Sequence, residues 1–357
     1  MTPKRRHALI IVLALVMTLL PAQAIAGFAQ TTDEAQRQAN KEVALKFYAA
    51  VNGELNDLHD VVASDVIDHS PVPGQPPGPE GIIQAFLVLR GAFPDWQVRW
   101  YEIVSEGDLV VARGIGSGVH QGNLYGIPGT GKPVAIDGTN VFRIRDGMIV
   151  ERWEALDVLG ALMQIGFLPP MPGLELASAV KETDLVPIPV GATPAPASSF
   201  AGDTEANKEL VRRYYDAFNA GDTSALDQLL AADIVNLQPA MGLAAGAEGI
   251  KQLVTAYKTG FPDGQISIVD LVAEGDAVAA NLAFSGTQQG LFAGIPPTNK
   301  RVEGVRMVAV WHVADGKLVQ YWPVVDNLGL VTQLGLIPAF SPPAATPGAG
   351  AGASPVA

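Results

Sequence analysis

Proton-transfer chemistry needs a carboxylate or imidazole held in a partly dry place, and this chain has few positions for it. Asp157 lies four residues after Trp153 near the end of a strand-like run. Strand alternation puts Glu151, Trp153, Ala155 and Asp157 on one face. If that face lines a cavity, Trp153 desolvates the carboxylate and raises its pKa toward useful acid/base values. The competing reading is that Asp157 caps a following helix over Val158–Ile165, bonding its free N–H groups and lowering the pKa. His69 and His120 each end a short apolar run before a Pro/Gly-rich loop, where an imidazole can shuttle a proton or hold an enolate oxygen. A hydrogen-bonded rim histidine is the plainer alternative for each. Tyr48 and Asn52 share a helix face at i,i+4, and a phenol facing a cavity can donate to a developing oxyanion.

Composition narrows the classes further. The chain has 357 residues, no Cys and five His, with 23 basic against 36 acidic side chains for a net charge of −13. Thiolate metal sites, cysteine nucleophiles, disulfides and a lipoprotein cysteine are excluded, and a general nucleic-acid binder needs the opposite charge. A His69/His120/Asp157 metal site lacks HxH or HExxH spacing, so no metal and no cofactor is expected. The N-terminus reads as a signal peptide over residues 1–26. Lys4, Arg5, Arg6 and His7 precede an apolar run, Ala8–Leu20, and A-x-A sites follow at Ala22–Ala24 and Ala24–Ala26. The expectation is a secreted or extracytoplasmic protein with no stable membrane span after signal removal.

The elements that must position these residues occur twice. Asn40-Lys41-Glu42 recurs as Asn207-Lys208-Glu209, Phe93-Pro94-Asp95 as Phe261-Pro262-Asp263, and Glu106-Gly107-Asp108 as Glu274-Gly275-Asp276. Gly126-Ile127-Pro128 recurs as Gly294-Ile295-Pro296, and Trp153 with Asp157 as Trp322 with Asp326. Residues 40–169 and 205–338 are therefore one domain twice, after an N-terminal segment at 27–39. A Pro/Ala-rich linker at 170–204 joins them, and a disordered tail follows at 339–357. Each copy reads as helices first, a short second one covering Leu55–Val62 and Thr223–Leu230, with Asp222 and Thr223 as caps, and a third opened by Pro79-Glu80 and stopped by Pro94. A meander over Gln97–Val104, Leu109–Gly118, Val134–Ile144 and Met148–Leu156 follows, with an Asp146-Gly147 hairpin. This is an α+β domain: three helices on a curved, mostly antiparallel sheet that encloses a cone-shaped cavity. Gly114, Gly116 and Gly118 within a strand mark a bend or close packing. His69 and His120 become Leu237 and Gln288 in the second copy, which assigns histidine-dependent chemistry to the first.

The order of elements, the turn Gly126-Ile127-Pro128-x-Thr130-Gly131-Lys132, and the ending Asp146-Gly147-x-Ile149-x-Glu151-x-Trp153-x-x-x-Asp157-x-x-Gly160-x-x-x-Gln164-x-Gly166 resemble the SnoaL-like polyketide cyclases of the NTF2-like superfamily. The resemblance implies two tandem cone-shaped barrels pairing through their sheets as an intrachain pseudo-dimer. It implies a small hydrophobic carbonyl ligand and a strand-end carboxylate, at Asp157 and Asp326 here, acting in aldol cyclisation or isomerisation. The implied lining is Tyr48, Trp100, Asn140, Phe142 and Trp153, with Tyr215, Trp322 and Asp326 in the second copy. Two alternatives stay open: a non-catalytic extracytoplasmic carrier of an apolar molecule, and epoxide hydrolysis, which in this superfamily uses two Asp bridged by an Arg. Arg99, Arg113, Arg143 and Arg152 are available for it, and no spacing singles one out.

Overall fold

The computed structural model describes residues 22–72, 74–171, 174, 203–238 and 243–337. Most of the signal-peptide segment, the linker and the tail lie outside these residues. The first unit begins with α1 (Ala22–Asn52), whose run continues through the segment expected to precede the domain. Val43, Ala44, Phe47, Tyr48 and Val51 recur at helical spacing and are buried. A single 3-10 turn at Leu55–Asp60 replaces the expected second α-helix. There follow β1 (Val62–Asp68), α2 (Pro79–Ala92), β2 (Gln97–Glu106), β3 (Leu109–Val119), β4 (Pro133–Arg145), β5 (Met148–Leu156) and α3 (Val158–Gln164).

The second unit repeats the plan as α4 (Thr204–Ala220), α5 (Thr223–Leu229), β6 (Leu230–Asn236), α6 (Gly246–Gly260), β7 (Gln265–Glu274), β8 (Ala277–Thr287), β9 (Arg301–Ala314), β10 (Lys317–Val325) and α7 (Asn327–Gln333). Asp203 and Asp222 cap α4 and α5. The strand orders are β1-β5-β4-β3-β2 and β6-β10-β9-β8-β7, antiparallel except for β1 beside β5 and β6 beside β10. The tight hairpins have both central residues at positive φ, 51° and 75° at Asp146-Gly147 and 52° and 70° at Asp315-Gly316. A register shift in β2 after Trp100, mirrored in β7 after Ile268, adds the local bend that curls each sheet.

One face of each sheet covers its own cone and the other packs on the partner sheet. Val104, Val111, Val141 and Ala155 form a single apolar cluster with Val272, Ala279, Val308, Val310 and Val324. The repeated sequence motifs flank that cluster. Lys41 pairs with Glu274, whose second oxygen accepts from the Ser105 N–H at 2.9 Å. Reciprocally, Lys208 pairs with Glu106 at 2.7 Å, and Glu106 accepts from the Ala273 N–H at 2.9 Å. The Lys41–Glu274 pair is buried and the Lys208–Glu106 pair is partly exposed, and each ties the repeated motif of one unit to the opposite sheet. Between the sheets, Asp137 accepts from Arg113 (3.0 Å), Trp322 Nε1 (2.9 Å) and Gln238 Nε2 (2.6 Å), and the Arg113 guanidinium lies over the Trp322 ring. Burial pushes Asp137 up to about 6 and pulls Arg113 down to about 9.

His312 of the second unit also crosses the interface, with Nε2 2.8 Å from Glu102 and Nδ1 3.4 Å from Asp276. Burial lowers its pKa, but the two carboxylates outweigh that and hold it at about 9, against an ordinary 6.5. The folded value lies above the unfolded one, so the stabilisation is full below the ordinary value and is lost as pH rises through the folded one. His312→Gln is expected to lower Tm at pH 6 and to make little difference at pH 10. Equal losses at both pH values contradict this account.

Candidate functional site

Strand alternation decides what each cone contains. In β3, β4 and β5 the even-numbered residues Gly114, Gly116, Gly138, Asn140, Arg152, Glu154 and Leu156 face the first cone. There they surround a cavity of about 540 Å³ roofed by α1 and α2. Three wall positions are glycine, and their bare backbone lets neighbouring side chains lie back against the sheet. A Cβ on Gly116 would stand 2.1 Å from the Trp96 ring and one on Gly114 2.7 Å from the Trp100 ring, so both indoles lie flat on bare backbone. Trp100 stacks on Tyr48 with a 21° interplanar angle.

The polar end of the cavity is built around Arg152, which sequence reasoning left among several arginines. Its Nε donates to Asn140 Oδ1 (3.0 Å) and its Nη1 to Asp68 Oδ2 (3.0 Å), while Nη2 pairs with Glu154 Oε1 (2.6 Å). Burial works against the charge, but Glu154 and Asp68 outweigh it and hold the guanidinium pKa above its ordinary range. Asp68 is held below the usual carboxylate range: burial raises it, and Arg152, Gln75 and the Ser70 N–H more than offset that. Burial raises Tyr48 well above the ordinary phenol value, so it stays a neutral donor. Its hydroxyl lies near Asn140 without completing a hydrogen bond. With Trp96 Nε1 and Trp100 Nε1 it is one of three buried donors in this wall that find no partner among the described residues. Buried donors left unpaired are rare and costly, and here all three belong to residues lining one cavity.

The sequence candidates are not brought together. Trp153 sits on the odd face of β5, so it packs at the sheet–sheet interface with Ala155 rather than in the cone. His69 stacks on that Trp153 (centroids 4.4 Å) and bonds Glu151 at 3.0 Å, on the outer side of the sheet. His120 is buried against Phe93, with Nδ1 3.2 Å from Thr130 Oγ1, and burial lowers its pKa. Its counterpart Gln288 braces the equivalent loop through Thr298, Ile295 and Pro296, so this position ties down a loop in both units. Asp157 Oδ1 accepts from the Gly160 N–H at 2.9 Å and caps α3, outside the cavity lining, with burial raising its pKa. Phe142 is core behind Tyr48. Tyr48, Trp100 and Asn140 do line the cavity. Asp326 also lines it, reaching across from the second unit.

The second cone is filled. Gly114, Gly116 and Gly138 are replaced by Leu282, Phe284 and Met307, and Arg152 and Phe142 by Tyr321 and Trp311, all in one packed core. Trp311 stacks on Tyr321 at 4.1 Å and donates to the Tyr215 hydroxyl at 3.2 Å. Trp322 is spent at the interface, on Asp137. Comparing the two copies at their glycines was the signal available in the sequence.

The model of the SnoaL-like polyketide cyclase family matches residues 42–165 and 208–334, more than half of the chain. The chain belongs to the SnoaL-like polyketide cyclase family. Aklanonic acid methyl ester cyclase DauD of Streptomyces sp. (strain C5) is 32% identical over 111 residues, which is 30% of this chain and 66% of that protein. Among solved structures, TsrD from Streptomyces laurentii is 31% identical, covering 38% of this chain and 99% of its own, with a TM-score of 0.36. IdmH from Streptomyces antibioticus is 33% identical, covering 36% and 98%, with a TM-score of 0.33. Both units are SnoaL-like, NTF2-like α+β domains, and they differ from each other in whether the cone is open.

Asp caps tolerate Asn. Asp157→Asn is therefore expected to keep Tm and turnover, and Asp157→Ala to cost about 1 kcal/mol of stability. Thermal melts together with turnover check this. A folded Asp157→Asn protein slowed ~10²–10⁴-fold would instead make Asp157 the general base.

Proposed function

We propose that the first unit carries out cofactor-free acid/base chemistry on a small apolar carbonyl compound, and that the second unit carries none. The observation that carries this reading is a cavity apolar except at its Arg152–Glu154–Asn140 end, with three unpartnered donors, Tyr48 Oη, Trp96 Nε1 and Trp100 Nε1, on residues of its wall. A hydrocarbon ligand would leave them unpaired, whereas carbonyl and enolate oxygens accept from them. Glu154 is the base and takes a proton from the carbon next to the carbonyl. The Tyr48 hydroxyl holds the developing enolate oxygen, and the Arg152 cation offsets the charge that forms. The enolate carbon then either attacks a second carbonyl, closing a ring whose new alkoxide takes the proton back from Glu154, or is itself reprotonated by Glu154 at another carbon, which is isomerisation. Family membership supports a cyclase or isomerase, and the DauD relative, an aklanonic acid methyl ester cyclase, makes aklanonic acid methyl ester a sensible trial compound.

One geometric feature favours a second reading. Arg152 bridges two carboxylates, Asp68 and Glu154, an arrangement like the Asp–Arg–Asp set of epoxide hydrolysis with one Asp replaced by Glu. Trial substrates should therefore include an apolar epoxide. We also infer export, supported by the basic and then apolar N-terminal sequence with its A-x-A sites. The intact mass of chain recovered from culture medium reports the cleavage.

Glu154→Gln preserves shape and removes the base. It is expected to cut turnover ~10²–10⁴-fold with Tm near that of the native chain, and Tyr48→Phe to lower kcat with a smaller effect on KM. Binding without turnover by the unaltered chain, across carbonyl and epoxide substrates, would leave the carrier reading in its place.

A further inference from the structure

Each short C-terminal helix serves both units. Val158, Ala161, Leu162 and Ile165 line their own unit's cavity, and Leu330, Val331 and Leu334 lie in their own unit's core. Leu159 of α3 is fully buried in the core of the second unit, and Met163 packs against the same core. Their counterparts on α7 point the other way. Leu328, Gly329 and Thr332, together with Asp326, line the cavity of the first unit. Leu328 also packs on the cluster formed by Phe93, Trp96, Ala161 and Leu162 at the cavity wall. Each unit thus adds a helix face to the wall or core of its neighbour. The two faces are unequal at one position, where Met163 presses on the filled unit and Thr332 faces the open one.

The same neighbour also holds the adjoining edge. Arg306 of the second unit bonds the Ser70 hydroxyl, the His69 carbonyl and the Glu154 carbonyl (3.3 Å for the last), and Ser70 and Glu154 both line the cavity. Its mirror in the first unit is Asp137, which bonds Gln238, the counterpart of Ser70. The pseudo-symmetry of the interface therefore brings parts of the second unit to the cavity wall of the first.

We propose that the second unit is the specificity wall of the first unit's site. Leu328 and Thr332 set how large an apolar body enters, and Arg306 acts as a positioning residue for the Ser70–Glu154 edge. This rests on the first cavity being a ligand site. The ligand is the apolar carbonyl compound of the proposed function, with its oxygen toward the Tyr48–Arg152 end and its far edge against α7. A second unit with a filled cone has a role on these terms, because removing it would open the wall of the first.

The test is a fluorescence titration of the full chain with Nile red, a neutral, flat, oxygen-bearing apolar dye. Thr332→Met installs the side chain that the mirrored position already carries. It is expected to weaken dye binding about tenfold or more with Tm unchanged. Leu328→Ala removes wall instead of adding bulk and is expected to weaken binding about tenfold. Met163→Thr, the mirrored change at the filled unit, is expected to leave dye affinity within about twofold. A folded Thr332→Met or Leu328→Ala protein that binds the dye like the unaltered chain overturns the wall while leaving the cavity reading in place. Failure of the unaltered chain to bind the dye at all overturns both.

Discussion

A curved sheet has two faces, and only one of them can cover its own cone. The other must be kept from water, and in this chain each sheet uses the other for that purpose. The rest of the architecture follows from this packing. It turns Val141, Trp153 and Ala155 toward the partner and Gly138, Asn140, Arg152 and Glu154 inward. It brings Glu106 and Glu274 within reach of the opposite lysines. It also carries each terminal helix against the neighbouring unit, so that the wall of the first cavity is partly made of residues more than 150 positions away in the chain.

Duplication followed by unequal filling explains the contrast between the units. Both keep the capping aspartates, the hairpin turns and the bends in their second strands, because these hold the barrel together. They differ where side chains meet inside the cone. Trp96 over Gly116 in the first unit is inverted to Phe284 over Gly264 in the second, so one aromatic group fills the place in each. Around it, Ile268, Leu282 and Met307 complete a packed interior in the second unit. In the first, glycines, Asn140 and Arg152 leave room and polarity. A dense core stabilises a fold, while an open cone with unpaired donors costs stability and makes sense where a ligand repays it.

Much of this was legible in the sequence. The repeat, the helix starts at Pro79 and Thr223, the Asp-Gly hairpins and the meander follow from local rules with a period of two or a defined turn. The face of β5 that points inward does not follow from them, because alternation fixes which residues share a face but not which face is inside. Trp153 and Asp157 were therefore placed on the cavity side, and Arg152 and Glu154 were not singled out. Partnerships between distant residues were equally hidden. Nothing local ties Arg152 to Asp68 or Asp326 to the other unit's cavity. Asp157 has a cap's neighbours, with Gly160 three residues on, and the cap is what the structure shows.

The central claim is that one chain holds one working cone. The stoichiometry of Nile red binding, measured by isothermal titration calorimetry on the full chain, tests it most directly. The account predicts saturation at one dye per chain. Saturation at two equivalent dyes per chain would contradict it, because the second cone would then be as open as the first.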